Sequence, residues 1–231
     1  MLEAINLNKQ YGAFTALKGL NLKIEPGEVF CLLGQNGAGK TTTINLFLGF
    51  LEATHGKALI NNVEVKHNSE TTNKMIAYIP EVVQLYGNLS GIENLDFFSR
   101  LAGYAYSPTD LGGFLNRVGL VTEVHSKKLS TYSKGMRQKV GVAIALAKNA
   151  KAIFMDEPTS GLDPKATAEF TAICKDLAAS GKAIFMATHD IFNAVEIGTR
   201  IGIMKEGELV YDVSTTEINA NELQELYLKT I

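Results

Sequence analysis

A run of nine residues at positions 34–42 has the clearest chemical meaning in this sequence, because it combines closely spaced glycines with a lysine and two hydroxyl side chains. It fits the phosphate-binding pattern G-x-x-x-x-G-K-[ST], which ends here in Lys40 and Thr41. Glycine lacks a Cβ atom, so the backbone N–H groups of such a loop can wrap closely around phosphate oxygens. We expect Lys40 to reach the β- and γ-phosphates of a nucleotide and the Thr41 hydroxyl to ligate a bridging Mg²⁺ ion. The predicted nucleotide-binding residues of the loop are Gly34, Gln35, Asn36, Gly37, Ala38, Gly39, Lys40, Thr41 and Thr42.

Two adjacent carboxylates, Asp156 and Glu157, could complete a site for phosphate chemistry. They follow an apolar run at 152–155, which is typical of a strand buried in a parallel sheet. Open α/β sheets place their ligands at the carboxyl ends of such strands. Because side chains alternate along a strand, we expect the two acids to point in different directions. Asp156 is then expected to hold Mg²⁺ through its water shell, and Glu157 to polarise the water that attacks the γ-phosphate. Without the phosphate loop, the pair could simply cap the next element.

The elements that must position these residues follow from the apolar pattern. Residues 29–33 predict a buried strand immediately before the loop, and residues 42–50 predict a helix immediately after it. Alternating strands and helices of this kind predict an α/β fold with a parallel sheet. The other strands predicted for this part of the fold are 75–79, 151–155, 183–187, 201–204 and 208–213, and a helix is predicted at 164–179.

Two regions interrupt the alternation. Apolar positions near the N-terminus and at 20–24 predict strands, and residues 57–65 predict a hairpin around Asn61-Asn62, so a small antiparallel sheet should lie beside the core. His55-Gly56 is predicted to be a turn, and His55 and His67 are expected to be exposed. Farther along, a capping box opens at Ser90, and helical patterns continue at 111–118 and 134–147. This helical stretch is longer than a simple crossover needs, so we expect an inserted subdomain.

Composition narrows the function classes. With 46% hydrophobic and 20% charged residues among 231, the chain is typical of a globular α/β protein. A formal net charge of −2 gives no basic footprint, so nucleic acid is not an expected partner. Runs free of charged residues reach only 11 positions, as at 82–92, which is too short to cross a bilayer. No secretory signal is evident, and Cys31 and Cys174 are expected to be reduced core thiols, which favours a cytosolic location.

Three further segments carry a family resemblance. Residues 129–138 read Leu-Ser-Thr-Tyr-Ser-Lys-Gly-Met-Arg-Gln, residues 155–163 read Met-Asp-Glu-Pro-Thr-Ser-Gly-Leu-Asp, and residues 188–190 read Thr-His-Asp. With the phosphate loop, their order and spacing resemble the ATP-binding subunit of an ABC transporter over essentially the whole chain. The resemblance implies a single domain over 1–231, with a P-loop ATPase core that has a mostly parallel sheet (about 29–84 and 150–231). It also implies an antiparallel β subdomain (about 1–28 and 55–67) and a helical subdomain (about 85–149).

The resemblance also assigns roles to single residues. Tyr11 would stack on adenine, and His189 would contact the γ-phosphate. Ser133 and Gly135 lie in the segment at 132–136, called the signature segment below, which would bind the γ-phosphate of an ATP held by a second ATPase subunit. A hydroxyl and backbone N–H groups at a helix N-terminus suit that role. Asp163 would lie at the seam between the two subunits.

One position departs from the usual pattern of the family. Tyr78-Ile-Pro80 is followed by Glu81, where many members have a glutamine that contacts Mg²⁺ and water. A carboxylate oxygen can also face Mg²⁺, so Glu81 is a predicted metal ligand, but Gln84 lies three residues on and either residue could fill the role. Lys134 and Met136 are further departures, in the signature segment, where glycine and glutamine are commonest.

The function implied by the resemblance is the ATP-hydrolysing subunit of a transporter, with ATP and Mg²⁺ as cofactors. It would dimerise around two ATP molecules and power a separate membrane permease, on the inner face of the cell membrane, in the exporter subgroup. The uncharged link at 82–92 would line a groove for a cytoplasmic helix of the permease, or would pack inside its own subunit. The alternatives are an ABC-type ATPase without a transport role and a GTP-binding switch protein. The latter needs Asn-Lys-x-Asp, whereas the nearest segment, Asn73-Lys-Met-Ile76, lacks the aspartate.

Overall fold

Two sheets and their flanking helices make up the part of the chain that the computed structural model describes, residues 1–66 and 69–231. The prediction for His67 lies outside these residues. The strands are β1 (Leu2–Tyr11), β2 (Phe14–Ile24), β3 (Val29–Leu33), β4 (His55–Ile60), β5 (Val63–Glu64), β6 (Ile76–Ile79), β7 (Ala152–Asp156), β8 (Ala183–Thr188), β9 (Arg200–Lys205) and β10 (Glu208–Ser214). The helices are α1 (Lys40–Phe47), α2 (Ser69–Met75), α3 (Gly91–Leu101), α4 (Pro108–Arg117), α5 (Thr122–His125), α6 (Lys134–Ala147), α7 (Pro164–Ala179), α8 (Ile191–Ile197) and α9 (Ala220–Thr230). A short 3₁₀ helix lies at Leu129–Thr131.

The central sheet has the strand order β10-β9-β3-β8-β7-β6. Its strands are parallel except for β10, which pairs antiparallel with β9. The predicted mostly parallel sheet is therefore confirmed. Every residue of β3 is buried, as expected for a strand with neighbours on both sides and packing on both faces. Because β3, β7 and β8 run in one direction, the residues that follow them lie at the same edge of the sheet.

Both faces of the central sheet are covered. Phe30, Phe154 and Phe185 point to one face, where their rings lie 5.7–5.9 Å apart in tilted pairs and Phe47 of α1 joins them at 5.4 Å. The same cluster includes apolar residues of β1, β2 and β4, so the antiparallel sheet packs on this side. The opposite face packs against α6, α7 and α8. These two layers fix the strand ends that carry the chemical groups.

The second sheet is antiparallel, with the order β2-β1-β4-β5, as predicted. Asn61 and Asn62 form its hairpin turn with φ of 51° and 64°. The predicted turn at His55-Gly56 is wrong, because both residues belong to β4, although His55 is exposed as expected. Gly56 has a φ of 79°, and a Cβ atom there would overlap the backbone of Asn6. The glycine therefore marks a bulge where β1 and β4 shift register, not the end of a strand.

Most helices between β6 and β7 begin at a polar N-cap residue. Ser90 forms the predicted capping box with Glu93 at the start of α3. A second capping box, between Ser107 and Asp110, starts α4 three residues before the predicted position 111. The predicted bounds of α6 and α7 are confirmed. The predicted limits of the helical subdomain, 85–149, remain a prediction.

Other differences have local causes. The helix after the phosphate loop spans Lys40–Phe47 instead of 42–50, because Gly39 at its N-cap has a φ of 115° and Gly49 just beyond its end has a φ of 73°. Of the helices in the described residues, four were not predicted, α2, α5, α8 and α9. Side-chain caps were a usable signal for two of them, since Asp190 caps α8 and Asn219 caps α9.

Candidate functional site

The phosphate loop connects β3 to α1 and is supported from behind by other strands. A Cβ atom at Gly34 would lie 2.6 Å from the carbonyl oxygen of Met204, and one at Gly39 would lie 2.8 Å from that of Ala16. The positive φ of Gly39 excludes most other residues as well. The pattern glycines are therefore required by close packing against β2 and β9. This packing holds the loop in a fixed shape at the edge of the sheet.

Lys40, the first residue of α1, lies along this loop. Its ammonium group donates hydrogen bonds to the carbonyl oxygens of Gly34 and Gln35, and its side chain is largely buried. Burial lowers the pKa of Lys40, while the nearby charges of Glu157 and Asp156 raise it. The ammonium therefore lies within electrostatic reach of both predicted acids, as a group that binds terminal phosphates beside a catalytic site should.

Thr41 and Asp156 meet although they lie far apart in sequence. The Thr41 hydroxyl donates a hydrogen bond of 3.1 Å to Asp156 Oδ2. The pKa of Asp156 is raised, with burial as the largest cause and the charges of Glu157 and Glu81 adding to it, while the Thr41 hydrogen bond and the charge of Lys40 oppose the shift. A partly desolvated carboxylate of this kind is stabilised when a cation arrives.

The pair fits Mg²⁺. A hydroxyl and a carboxylate oxygen are hard ligands of the type that this ion prefers. Among residues 1–66 and 69–231, no group of three or more histidines, cysteines or acids is arranged to hold a metal ion by itself. Mg²⁺ commonly binds through one or two protein ligands together with phosphate oxygens and water. Thr41 and Asp156 are therefore suited to an ion that enters with a nucleotide.

Glu157 lies just beyond β7 in a left-handed conformation, with a φ of 47°. Asp156 and Glu157 have different hydrogen-bond partners, Thr41 and His189. The predicted cause of their different directions, alternation along a strand, does not apply, because only Asp156 belongs to β7. The backbone N–H of Glu157 donates to Ala187 of the neighbouring strand at 2.9 Å. A non-glycine residue in this region is strained, and such strain concentrates at functional sites.

His189 follows β8 and pairs with Glu157. Its Nδ1 lies 2.8 Å from Glu157 Oε2, and its backbone N–H donates to the same oxygen at 3.3 Å. Thr188 and Asp190 fix the backbone on either side, because Asp190 N donates to the Thr188 hydroxyl and the Asp190 carboxylate caps α8. The imidazole itself is 68% exposed, so it can contact both the carboxylate and a ligand.

An aromatic hairpin flanks the phosphate loop. Tyr11 ends β1 opposite Phe14 of β2, and both rings are exposed. They line one cleft with the phosphate loop, including Lys40 and Thr41. Lys9 Nζ lies 4.9 Å from the centre of the Tyr11 ring. The structure thus brings Tyr11 beside the loop, as its predicted adenine contact requires.

The signature segment lies at the N-terminus of α6. Ser133 caps this helix by accepting a hydrogen bond of 3.2 Å from Met136 N. Gly135 faces α7, where a Cβ atom would come within 3.1 Å of Ala166. Among the hydrogen bonds of the described residues, none joins Ser133 or Gly135 to the phosphate loop. The two halves of the predicted ATP site are therefore not joined within this chain by any such bond.

Glu81 follows Pro80 at the end of β6. Its carboxylate accepts a hydrogen bond from Ser160 and lies near Lys134. The charge of Glu81 also contributes, as a minor cause, to the raised pKa of Asp156. Gln84 is exposed. The metal role of Glu81, and the choice between it and Gln84, remain predictions.

Known proteins match this chain over most of its length. The family model described as ABC transporter matches residues 17–160. The bacitracin transport ATP-binding protein of Enterococcus faecalis is 35% identical over 220 residues, which cover 95% of this chain and 71% of that protein. The chain belongs to the ABC transporter family. This ABC subunit is an ATP-binding protein that hydrolyses ATP, as predicted, and the GTP-binding alternative is set aside.

Two further comparisons bear on its function. The fluoroquinolones export ATP-binding protein of Mycobacterium tuberculosis is 36% identical over 203 residues, which cover 88% of the ABC subunit and 66% of that protein. A solved structure described as a dimeric, post-hydrolysis ATP-binding cassette with ADP and Pi has a TM-score of 0.81 and 27% identity, over 93% of this chain and 99% of that one. Within residues 1–66 and 69–231 of the ABC subunit, no helix has the length and apolar character needed to cross a bilayer.

Sequence reasoning missed three residues around the site. Lys9 and Phe14 accompany Tyr11, and the short span between positions 9 and 14, centred on a glycine, was a usable hairpin signal. Gln138 in α6 is fully buried and holds the backbone after β6 through Pro80 and Glu81. A glutamine in an apolar helix gives no sequence signal for a partner 57 positions away.

Proposed function

We propose that the ABC subunit works as one half of an ATPase dimer that drives export through a separate integral membrane subunit. The observation that carries the proposal is a pair of contacts at the edge of the central sheet, beside the phosphate loop. Thr41 donates a hydrogen bond to Asp156, and Glu157 contacts His189. A relative named for fluoroquinolone export supports the direction of transport. Attachment to the membrane subunit would place the chain on the cytoplasmic face of the membrane. The proposal includes no nucleic-acid partner.

The proposed reaction uses Glu157 as a general base. A water molecule attacks the γ-phosphorus, Glu157 accepts a proton from it, and the bond between the γ-phosphorus and the β,γ-bridging oxygen breaks to release ADP. Lys40 neutralises charge on the terminal phosphates, and His189 orients the carboxylate through the contact at its Nδ1. A Mg²⁺ ion held by Thr41 and Asp156 would neutralise the phosphate oxygens further. Tyr11 would support adenine by stacking.

The signature segment supports the dimer. Ser133 and Gly135 lie at a helix N-terminus, where backbone N–H groups favour an anion. Among the described residues, no hydrogen bond joins Ser133 or Gly135 to the phosphate loop of the same chain, which supports a phosphate held by another subunit. A symmetric head-to-tail pair would build two equal sites in this way. A second, different ATPase subunit would satisfy the same geometry.

An aromatic patch, formed by exposed Tyr86 and Phe97 with half-buried Phe98, supports docking to a membrane subunit. Tyr86 and Phe97 contact each other edge to face with ring centres 5.1 Å apart, and both are more than 40% exposed. Asn94 is buried and clamps the Tyr86 backbone with bonds of 2.9 and 3.0 Å. The two alternatives for 82–92 therefore apply to different residues. Leu85 packs against the core of its own subunit, whereas Tyr86 is exposed and available to a partner. Fixed, exposed aromatic rings are typical anchors for a partner helix.

The proposal is tested with Glu157→Gln, which keeps the size of the side chain and removes its ability to accept a proton. We expect ATP affinity to stay within about twofold of wild type while hydrolysis falls at least a hundredfold, the lower range for loss of a general base. Undegraded ATP should then accumulate the dimer in light scattering. Glu123→Gln, at an exposed position on α5, is the matched control. A variant that hydrolyses ATP at the normal rate, or stays monomeric with ATP bound, would contradict the proposal.

A further inference from the structure

One carboxylate joins three segments that are distant in sequence. Glu81 Oε1 accepts a hydrogen bond of 2.9 Å from Ser160 Oγ and lies 3.8 Å from Lys134 Nζ. Glu81 follows β6, Lys134 is the first residue of α6, and Ser160 belongs to the turn after β7. The proposed reaction gives no role to either of these contacts.

The backbone around Glu81 is held in place by α6. The Gln138 side chain is fully buried, and its Nε2 donates to the carbonyl oxygens of Pro80 at 3.2 Å and Glu81 at 3.0 Å. Three residues further along the helix, a Cβ atom at Gly141 would come within 3.4 Å of the Val83 side chain. Helix and loop are therefore in close contact, and the carboxylate of Glu81 extends from a fixed base.

Ser160 links this carboxylate to the catalytic turn. Its backbone N–H donates a hydrogen bond of 3.1 Å to the carbonyl oxygen of Glu157, so this bond joins the first and last residues of the turn from 157 to 160. Glu157 holds a left-handed conformation that its neighbours must stabilise. The bond from Ser160 to Glu81 restrains the far end of this turn from outside.

We infer that Glu81 is a positioning residue, which accepts the Ser160 hydrogen bond and thereby holds the turn that aims Glu157 at the attacking water. The inference rests on the proposed role of Glu157. Lys134 is the weaker partner, because an ion pair between side chains that are 34% and 52% exposed is screened by solvent. This role differs from the predicted one, in which the Glu81 carboxylate would face Mg²⁺.

A double-mutant cycle tests the inference. In Glu81→Ala and Ser160→Ala, we expect kcat to fall about 3- to 10-fold, as for the loss of one hydrogen bond. The KM for ATP and the Mg²⁺ concentration for half-maximal activity should not change. The double variant should be no slower than the slower single variant, since both changes remove the same bond. Glu81→Gln retains an acceptor oxygen for the Ser160 hydroxyl and should recover most of the rate.

Several outcomes would overturn the inference. A higher Mg²⁺ requirement in Glu81→Ala alone would make Glu81 a metal contact, and losses that multiply in the double variant would make the two residues independent. Glu123→Ala serves as the control, and thermal melts check that each variant is folded. Glu157→Gln distinguishes a failure of the proposed function from a failure of the positioning role alone. Its normal activity would defeat the proposed function, whereas its inactivity together with a normal kcat for Glu81→Ala would defeat only the positioning role.

Discussion

The phosphate loop and the signature segment differ in how far the chain itself completes them. The loop is packed from behind by β2 and β9, and its Lys40 and Thr41 already contact groups at the sheet edge. In the signature segment, Ser133 caps its own helix and Gly135 packs against α7. The phosphate loop is a nearly finished half-site. Among the described residues, no hydrogen bond joins Ser133 or Gly135 to that loop, so the signature segment remains a separate half-site.

This difference separates binding from turnover. A nucleotide can contact the phosphate loop of a single chain, so affinity should depend on residues such as Lys40. Hydrolysis should depend on both regions, because the signature segment must meet a nucleotide held elsewhere. Variants in the two regions should therefore change different measurements, and the comparison fails if they change the same one.

The largest effect on affinity is expected from Lys40→Ala. The change removes a charge-assisted contact to the terminal phosphates, which should cost about 1.5 to 3 kcal/mol, or roughly a 10- to 100-fold loss of ATP affinity. Titration calorimetry of the purified chain measures it. Lys175→Ala, an exposed lysine on α7, is the control. Equal ATP affinity in Lys40→Ala and wild type would show that the loop does not hold the phosphates.

The opposite pattern is expected from Ser133→Asp. Aspartate is as good an N-cap as serine, so α6 should stay intact, but its charge would repel a phosphate that approaches from a second subunit. Hydrolysis should fall at least about tenfold, the effect of roughly 1.4 kcal/mol of repulsion, while ATP affinity of the isolated chain stays within about twofold.

Ser133→Asn keeps the cap without the charge and is the matched control. It should retain most of the hydrolysis rate, which is measured by phosphate release. In the Glu157→Gln background, only the aspartate variant should lose the ATP-driven dimer in light scattering. If Ser133→Asp weakens ATP binding as much as Lys40→Ala does, the signature segment contacts the nucleotide of its own chain.

The parts that could be predicted from sequence are those in which local chemistry requires one structure. The phosphate loop needs glycine at positions that packing and φ restrict, and α6 and α7 begin with capping residues, so both were located correctly. Gly56 shows the limit of this reasoning. A glycine with positive φ serves a turn or a bulge equally well, and only the pairing of β1 with β4 decides between them.

Within the site, the sequence predicted where residues lie better than how they are held. Asp156 and Glu157 lie where the strand pattern placed them, but the left-handed φ that separates them is not a property of strand alternation. The contact between Glu81 and Ser160 joins loops 79 positions apart, and no local pattern encodes it. Such contacts depend on how β6 and β7 pair, which is a property of the whole sheet.

Like the signature segment, the aromatic patch is proposed to bind a partner outside its own chain. Replacing Tyr86 and Phe97 with aspartate should reduce recovery of the integral membrane protein that co-purifies with the wild type by about tenfold or more, the loss typical of aromatic anchors. ATP affinity of the isolated chain should not change. Leu228→Asp, at another exposed apolar site, on α9, is the control. Normal recovery of the membrane protein by the double variant would place the docking surface elsewhere.

The smallest effect, in the more complete half-site, is expected from Lys9→Met. Lys9 places its ammonium over the Tyr11 ring and also donates a hydrogen bond of 2.8 Å to the carbonyl oxygen of Glu52, so it fixes the ring beside the phosphate loop. Loss of an exposed cation–π contact costs about 0.5 to 1 kcal/mol, which corresponds to a roughly 2- to 5-fold loss of ATP affinity by calorimetry. Tyr11→Ala should cost more, because stacking on a base contributes about 1 to 3 kcal/mol. In the Tyr11→Ala background, Lys9→Met should have no further effect. If Lys9→Met reduces ATP affinity as much in the Tyr11→Ala background as in the wild type, Lys9 acts on the nucleotide directly. The hypothesis that Lys9 acts by fixing the Tyr11 ring would then be wrong.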